Sequence, residues 1–125
     1  MNNLNTNNDR NIVKKQNAET KERITMILKD LYFDFDNKGC IYLVDTISYI
    51  KNNSTNTLLP RIKFDIYPYI AEKYGTTVRN VAHSIVRAIN DAKPNIQNVK
   101  FNTLASTSLN TLTTTDIVLE VLSRI

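Results

Sequence analysis

The sequence has little of several residue types on which common functional sites depend. Among its 125 residues are one cysteine, Cys40, one histidine, His83, and two glycines, Gly39 and Gly75. A lone cysteine excludes a disulfide framework and a cysteine-based zinc site within the chain, and a lone histidine excludes a site built from several imidazoles. Two isolated glycines exclude the glycine-rich loops that cradle phosphates in nucleotide-binding proteins. The composition therefore predicts no metal and no cofactor.

Long hydrophobic runs are also missing from the sequence. No stretch approaches the roughly 18 apolar residues that cross a bilayer, and the asparagine-rich start lacks the apolar centre of a signal peptide. We therefore expect no membrane contact and a cytoplasmic location. No Ser-His-Asp arrangement and no pair of carboxylates stands out from the other polar residues, so we do not expect an enzyme.

The residues that are present fit one domain of ordinary composition, 42% hydrophobic and 22% charged. A chain of this length buries about two thirds of its unfolded surface and needs no cross-link to fold. Residues 1–18 are rich in asparagine and show no apolar periodicity, which predicts a disordered polar tail. We expect the folded domain to occupy residues 19–125.

Apolar residues spaced by three and four predict an all-α domain of six helices. The first two helices have their inner faces at Ile24, Ile27, Leu28 and Leu31 and at Leu43, Val44, Ile47 and Ile50. Pro60 and Pro68 suit the first turns of a third and a fourth helix, because the N–H that proline lacks has no partner there. A fifth helix should end near Ala92, before Lys93 and Pro94.

The last part of the chain gives a weaker pattern. Thr114 or Thr115 can cap a sixth helix that holds Ile117, Val118, Val121 and Leu122. Residues 95–113 are rich in Ser, Thr and Asn and fit either a docked loop or short helical turns. The sequence shows no internal repeat and no sustained alternation typical of strands.

A helix-turn-helix is predicted at about 68–92, where a short helix, 68–74, meets a long one, 78–92, at Gly75-Thr76-Thr77. At about 100° per residue, two faces of the long helix separate. The apolar face holds Val78, Val81, Ala82, Ile85 and Ile89. The opposite face holds Arg79, Asn80, His83, Arg87 and Asn90.

The polar face of the long helix has the chemistry that contacts DNA. An arginine fork matches O6 and N7 of guanine, and an asparagine amide matches N6 and N7 of adenine. The N–H groups of Thr76 and Thr77 at the start of the helix suit a backbone phosphate. Residues 61–87 carry five Lys or Arg against two carboxylates, an excess of +3 in a chain of +4.

These features predict double-stranded DNA as the partner, although a solvated polar helix face over a helical core would show the same pattern. The predicted contact residues are Thr76, Thr77, Arg79, Asn80, His83 and Arg87.

Several runs resemble a known family. They are Ile24-Thr25-Met26-Ile27, residues 38–43, residues 66–77 with Tyr-Pro-x-Ile-Ala and Thr-Thr, and Val81 with Ala88-Ile89. They look like the C-terminal effector domain of the stage zero sporulation protein A family, the sporulation master response regulators. The resemblance covers about 24–92 well and 114–125 weakly. It implies a six-helix domain that binds DNA through a helix-turn-helix, pairs of domains on tandem sites, and transcription control in an endospore-forming bacterium.

Two departures from the family pattern lead to two hypotheses. A polar tail stands where the family has its phosphoacceptor domain, so we expect a stand-alone relative. The two arginines with which the family contacts bases fall on Asn80 and His83, and its glutamate falls on Ala82. Each lost bidentate contact removes about 1–3 kcal/mol of base discrimination.

The first hypothesis is therefore a regulator that recognises a different sequence, with Arg79 as its new fork, as a homodimer on tandem half-sites. The second hypothesis is a protein-interaction module without specific DNA recognition. Such a module would pair with a full-length regulator or with RNA polymerase and modulate it.

Overall fold

The structure, a computed structural model, describes residues 3–53, 60–96, 99–103 and 111–125 and confirms the all-α class. Within these ranges the chain forms five α-helices and one π-helical turn, and no strand. The α-helices are α1 (Asn3–Asp30), α2 (Lys38–Asn53), α3 (Tyr67–Tyr74), α4 (Val78–Ile96) and α5 (Thr114–Arg124). The π-helical turn (Ile62–Ile66) leads directly into α3.

The predicted count of six α-helices is wrong by one, because the third predicted helix is the π-helical turn. The N–H of Ile66 donates to the carbonyl of Arg61, five residues back, at 3.2 Å. The Asp65 carboxylate accepts from the backbone N–H of Arg61 at 2.7 Å and lies against its guanidinium. These contacts between Arg61 and Asp65 hold one wide turn, which begins at Ile62, two residues after Pro60.

The N-terminal helix also differs from its prediction. The sequence predicts a disordered tail over 1–18, whereas the structure continues α1 back to Asn3. Each residue added to an existing helix gains one hydrogen bond, so a helix anchored by packing can extend beyond its apolar stripe. The Asn52 amide, which donates to the Asn17 side chain at 3.2 Å, also ties this part of α1 to α2.

Helix α2 lies at the centre of the domain and packs against the other four α-helices. The fully buried side chains around it include Ile24, Leu28, Leu43, Ile47, Ile85 and Ile117. The N-terminus of α2 comes closest to α4, because a Cβ placed on Gly39 would lie 2.0 Å from the carbonyl oxygen of Ser84. Helix α4 is therefore supported along its inner side by α2.

The end of α4 corrects another prediction. The sequence predicts a stop near Ala92, but α4 continues through Pro94 to Ile96. Proline inside a helix removes one hydrogen bond and crowds the preceding turn. Ala92 is 2% exposed and Ile96 is completely buried, so core packing on both sides of Pro94 offsets that cost.

A buried carboxylate attaches the described segment 99–103 to α5. The completely buried Glu120 accepts from the N–H and hydroxyl of Thr103 at 3.0 and 2.9 Å and from Arg124 at 2.8 Å. Burial raises the pKa of Glu120, but these hydrogen bonds outweigh it and hold the pKa below 4.5. Residues 99–103 thus dock as a loop, while 97–98 and 104–110 lie outside the described residues.

Candidate nucleic-acid interface

The turn between α3 and α4 forms as the sequence predicts. Gly75 adopts the left-handed conformation, with φ of 64° and ψ of 39°, and ends α3. Thr77 caps α4, because its hydroxyl accepts the N–H of Asn80 at 3.1 Å. Pro68 lies in the first turn of α3, which begins one residue earlier at Tyr67. The two predicted helices and the turn between them are therefore present.

One detail of the predicted phosphate site is wrong. The N–H of Thr76 is not free, since it donates to the carbonyl of Ala71 at 2.9 Å and closes the end of α3. The Thr76 hydroxyl accepts the side-chain amide of Asn80 at 3.1 Å. Thr77 is exposed at the start of α4, so the N-terminus of α4 remains directed toward solvent.

Three of the predicted contact residues form one exposed stripe on α4. Arg79, His83 and Arg87 are each four residues apart and all exposed. They span about 12 Å along the helix axis, which is close to the width of the major groove of about 12 Å. The opposite face of α4 is buried at Val81, Ile85 and Ile89. We call Arg79, His83 and Arg87 the α4 stripe.

Asn80 lies at the edge of the α4 stripe, about 20° from Arg87 in helical projection. Its amide nitrogen, however, is engaged by the hydroxyl of Thr76. A bidentate contact to adenine needs both the amide donor and the carbonyl acceptor. Asn80 must therefore release Thr76 before it can make such a contact.

Val86 is a residue of this surface that sequence reasoning missed. It is 49% exposed and lies within about 20° of Arg79 in helical projection, about one turn from His83. Its methyl groups have the chemistry to contact the C5-methyl group of thymine. Its signal in the sequence is an apolar residue on the polar side of α4.

A buried carboxylate fixes α3 relative to the rest of the domain. Asp45, 6% exposed, lies 3.1 Å from the Lys21 ammonium and 3.0 Å from the Lys73 ammonium. The Tyr74 hydroxyl donates to the same carboxylate at 2.5 Å. Burial raises the pKa of Asp45, but the hydrogen bonds from Tyr74, Lys73 and Lys21 outweigh burial and hold that pKa below 3.8. Burial and the bond to Asp45 raise the pKa of Tyr74 to about 12.

We expect Asp45→Asn to lower the free energy of unfolding at pH 7 by about 2 kcal/mol, because charge-assisted hydrogen bonds are lost. The folded-state pKa of Asp45 is depressed, so its contribution is present above the unfolded pKa and is lost as pH falls through the folded value. The difference in free energy of unfolding between variant and wild type should therefore shrink from pH 5 toward pH 3 in urea titrations. Asp36→Asn, at an exposed loop carboxylate, is the matched control. A pH-independent gap would contradict this role for Asp45.

Other candidate chemistry is weak in the part of the chain that the structure describes. No group of three His, Cys, Asp or Glu side chains there is arranged to hold a metal ion. Cys40 is buried, and its thiol donates to the Asp34 carbonyl at 3.1 Å. Burial, with the nearby Asp34 and Asp91 charges, raises the pKa of the Cys40 thiol to about 12, which keeps it unreactive. None of the helices within the described ranges is long and apolar enough to cross a membrane.

A short helix, a Gly-Thr-Thr turn and a long helix with basic side chains along its outer face define a DNA-binding domain of the helix-turn-helix class. The chain belongs to the family described as Sporulation initiation factor Spo0A C terminal, which it matches over residues 24–125. This is a family of DNA-binding domains of sporulation regulators and not a family of enzymes. No curated protein matches the sequence, and no solved structure matches it.

Proposed function

We propose that this protein is a sequence-specific transcriptional regulator that inserts α4 into the major groove of DNA. One observation carries the proposal: the α4 stripe is exposed along its length while the opposite face of α4 is packed against the core. A helix supported in this way presents its side chains rigidly, which direct contacts to base edges require.

The position of each residue along α4 supports a division of roles. In helix-turn-helix proteins the N-terminal part of the second helix contacts base edges. Arg79 and His83 belong to that part, so we assign base contacts to them, with the Arg79 fork on a guanine. Arg87 lies about one turn beyond His83 and is assigned to a phosphate. Thr77, at the exposed N-terminus of α4, suits a second phosphate because helix N-termini attract anions.

We further propose that two copies bind adjacent half-sites. A single module of this kind buries only about 600–1,000 Å² of protein surface on DNA. Two modules on one duplex double the contact area, and the spacing of their half-sites follows the helical repeat of DNA. A half-site repeated at one fixed spacing in selected sequences is the expected sign of such pairing.

A second candidate function is favoured by the positions that differ from the family pattern. The family arginines are replaced by Asn80 and His83, and the Asn80 amide is held by Thr76. A domain that has lost specific base contacts could still bind a full-length regulator or RNA polymerase and modulate it. This alternative predicts DNA retention without sequence preference.

Selection from a random duplex library separates these functions. The purified chain is incubated with the library at several salt concentrations, and the retained DNA is sequenced. We expect one enriched motif. We also expect the logarithm of the binding constant to fall with the logarithm of the salt concentration with a slope of several units, because phosphate contacts release counterions. Retention without an enriched motif at every salt concentration would refute specific recognition and favour the interaction module.

A further inference from the structure

A groove of about 730 Å³ opens beside the α4 stripe, between the π-helical turn, α4 and the start of α5. Its volume lies within the range of about 300–1,000 Å³ that is typical of small-molecule sites. Its walls include Ile62, Val78 and Ala82, together with the ring of Tyr67, which is only 6% exposed. The groove therefore offers an apolar surface large enough for a small organic molecule.

Two basic side chains line the groove and favour a negative charge. Lys63 and Arg79 line it, and no carboxylate is among its described lining residues. The acidic residue in the first turn of α5, Asp116, accepts the N–H of Thr113 at 2.9 Å in a capping box. Thr114 and Thr115, the first residues of α5, also line the groove.

We propose that this groove binds a small organic carboxylate with an apolar body. The apolar part would contact Val78 and Ala82, and the carboxylate would pair with Lys63 and Arg79. Charge complementarity selects this occupant over a neutral or cationic molecule, because two basic side chains face the groove and no acidic one does.

Such a ligand would regulate the DNA-binding surface, an effect that rests on the proposed function. Arg79 and His83 belong both to the groove and to the α4 stripe. A bound carboxylate occupies Arg79 and cancels its charge, so the ligand and DNA compete for the same side chains. Saturating ligand should weaken binding to the selected DNA site by at least about fivefold, the lower range for one lost bidentate contact.

The probe for the test is 2-naphthoate, and 2-naphthamide is its uncharged counterpart of the same shape. We expect saturable shifts in ¹H–¹⁵N spectra of the full chain at Val78, Ala82, Thr114 and Thr115, and at least about fivefold tighter binding of the naphthoate. Equal affinities of the two probes, or shifts that map outside the groove, would overturn the proposal.

Variants and a competition assay complete the test. Ala82→Phe fills the groove and should abolish naphthoate binding, and its native spectrum establishes that it folds. Lys63→Gln should weaken naphthoate but not naphthamide, whereas Lys38→Gln, an equal charge change outside the groove lining, should change neither. Unchanged naphthoate binding by folded Ala82→Phe would refute the site.

Fluorescence anisotropy with labelled DNA then measures competition. Naphthoate that binds the groove without weakening DNA binding would refute the regulatory role. If the chain failed to bind DNA specifically, the proposed function would fail, and the spectral titration would still decide whether the groove binds carboxylates.

Discussion

Replacing Gly39 by alanine should lower the free energy of unfolding by about 2–3 kcal/mol, the upper part of the range typical of overpacked cores. The added Cβ would lie 2.0 Å from the Ser84 carbonyl oxygen and 2.5 Å from its carbon. Both are backbone atoms of α4, so the collision cannot be relieved by rotating a side chain. Either α4 moves away from α2 or the start of α2 unwinds. Alanine is the better helix former by about 1 kcal/mol, and the collision should exceed that gain.

Gly75→Ala is the matched control for this prediction, because it adds the same methyl group at the other glycine. Gly75 has φ of 64°, and nothing lies within 4 Å of the position of its Cβ. The expected cost is the left-handed backbone penalty alone, about 1–2 kcal/mol. Urea titrations give both values, and Gly39→Ala should also reduce DNA affinity because it displaces α4. If Gly39→Ala were as stable as the wild type, α2 and α4 could move apart at little cost in free energy, which would contradict this prediction.

Arg79→Ala should weaken binding to the selected DNA sequence by about 10- to 100-fold, within the 1–3 kcal/mol of a good bidentate base contact. The affinity for random DNA should fall much less, because nonspecific affinity depends on how many phosphates the protein neutralises in total. Arg79→Lys keeps the charge but loses the planar fork, so it should preserve binding to random DNA and lose most of the specificity. Anisotropy titrations with both duplexes measure these affinities.

Arg23→Ala is the control for Arg79→Ala, since it removes an exposed arginine from α1. It should change specific and random binding by the same small factor. If Arg79→Ala lowered both affinities equally, Arg79 would be a phosphate contact and the specificity would reside elsewhere on α4. If it changed neither, the interaction module would be the better explanation of this surface.

The helix-turn-helix could be predicted from the sequence because its signals are local. Pro68 suits a first helical turn, Gly75 alone tolerates the left-handed conformation at no steric cost, and Thr77 bonds the N–H three residues ahead. The spacing of Val81, Ile85 and Ile89 then determines which side of α4 is buried. The exposure of Arg79, His83 and Arg87 follows from the same periodicity.

Other features depend on contacts between distant residues and could not be predicted. The groove joins Lys63 to Thr114, and the Asp45 cluster joins Lys21 to Lys73. The hydrogen bond between Asn80 and Thr76 required rotamers that no pattern specifies.

The sequence by itself determined the helical class, the helix-turn-helix and the polar face of α4, because propensity, capping and periodicity act within a few residues. Only the tertiary structure decided that α4 continues through Pro94, where buried Ala92 and Ile96 offset the lost hydrogen bond. The same holds for Gly39, whose missing side chain matters only because α4 lies against it. Packing between elements set these features, since their energies depend on neighbours far away in the chain.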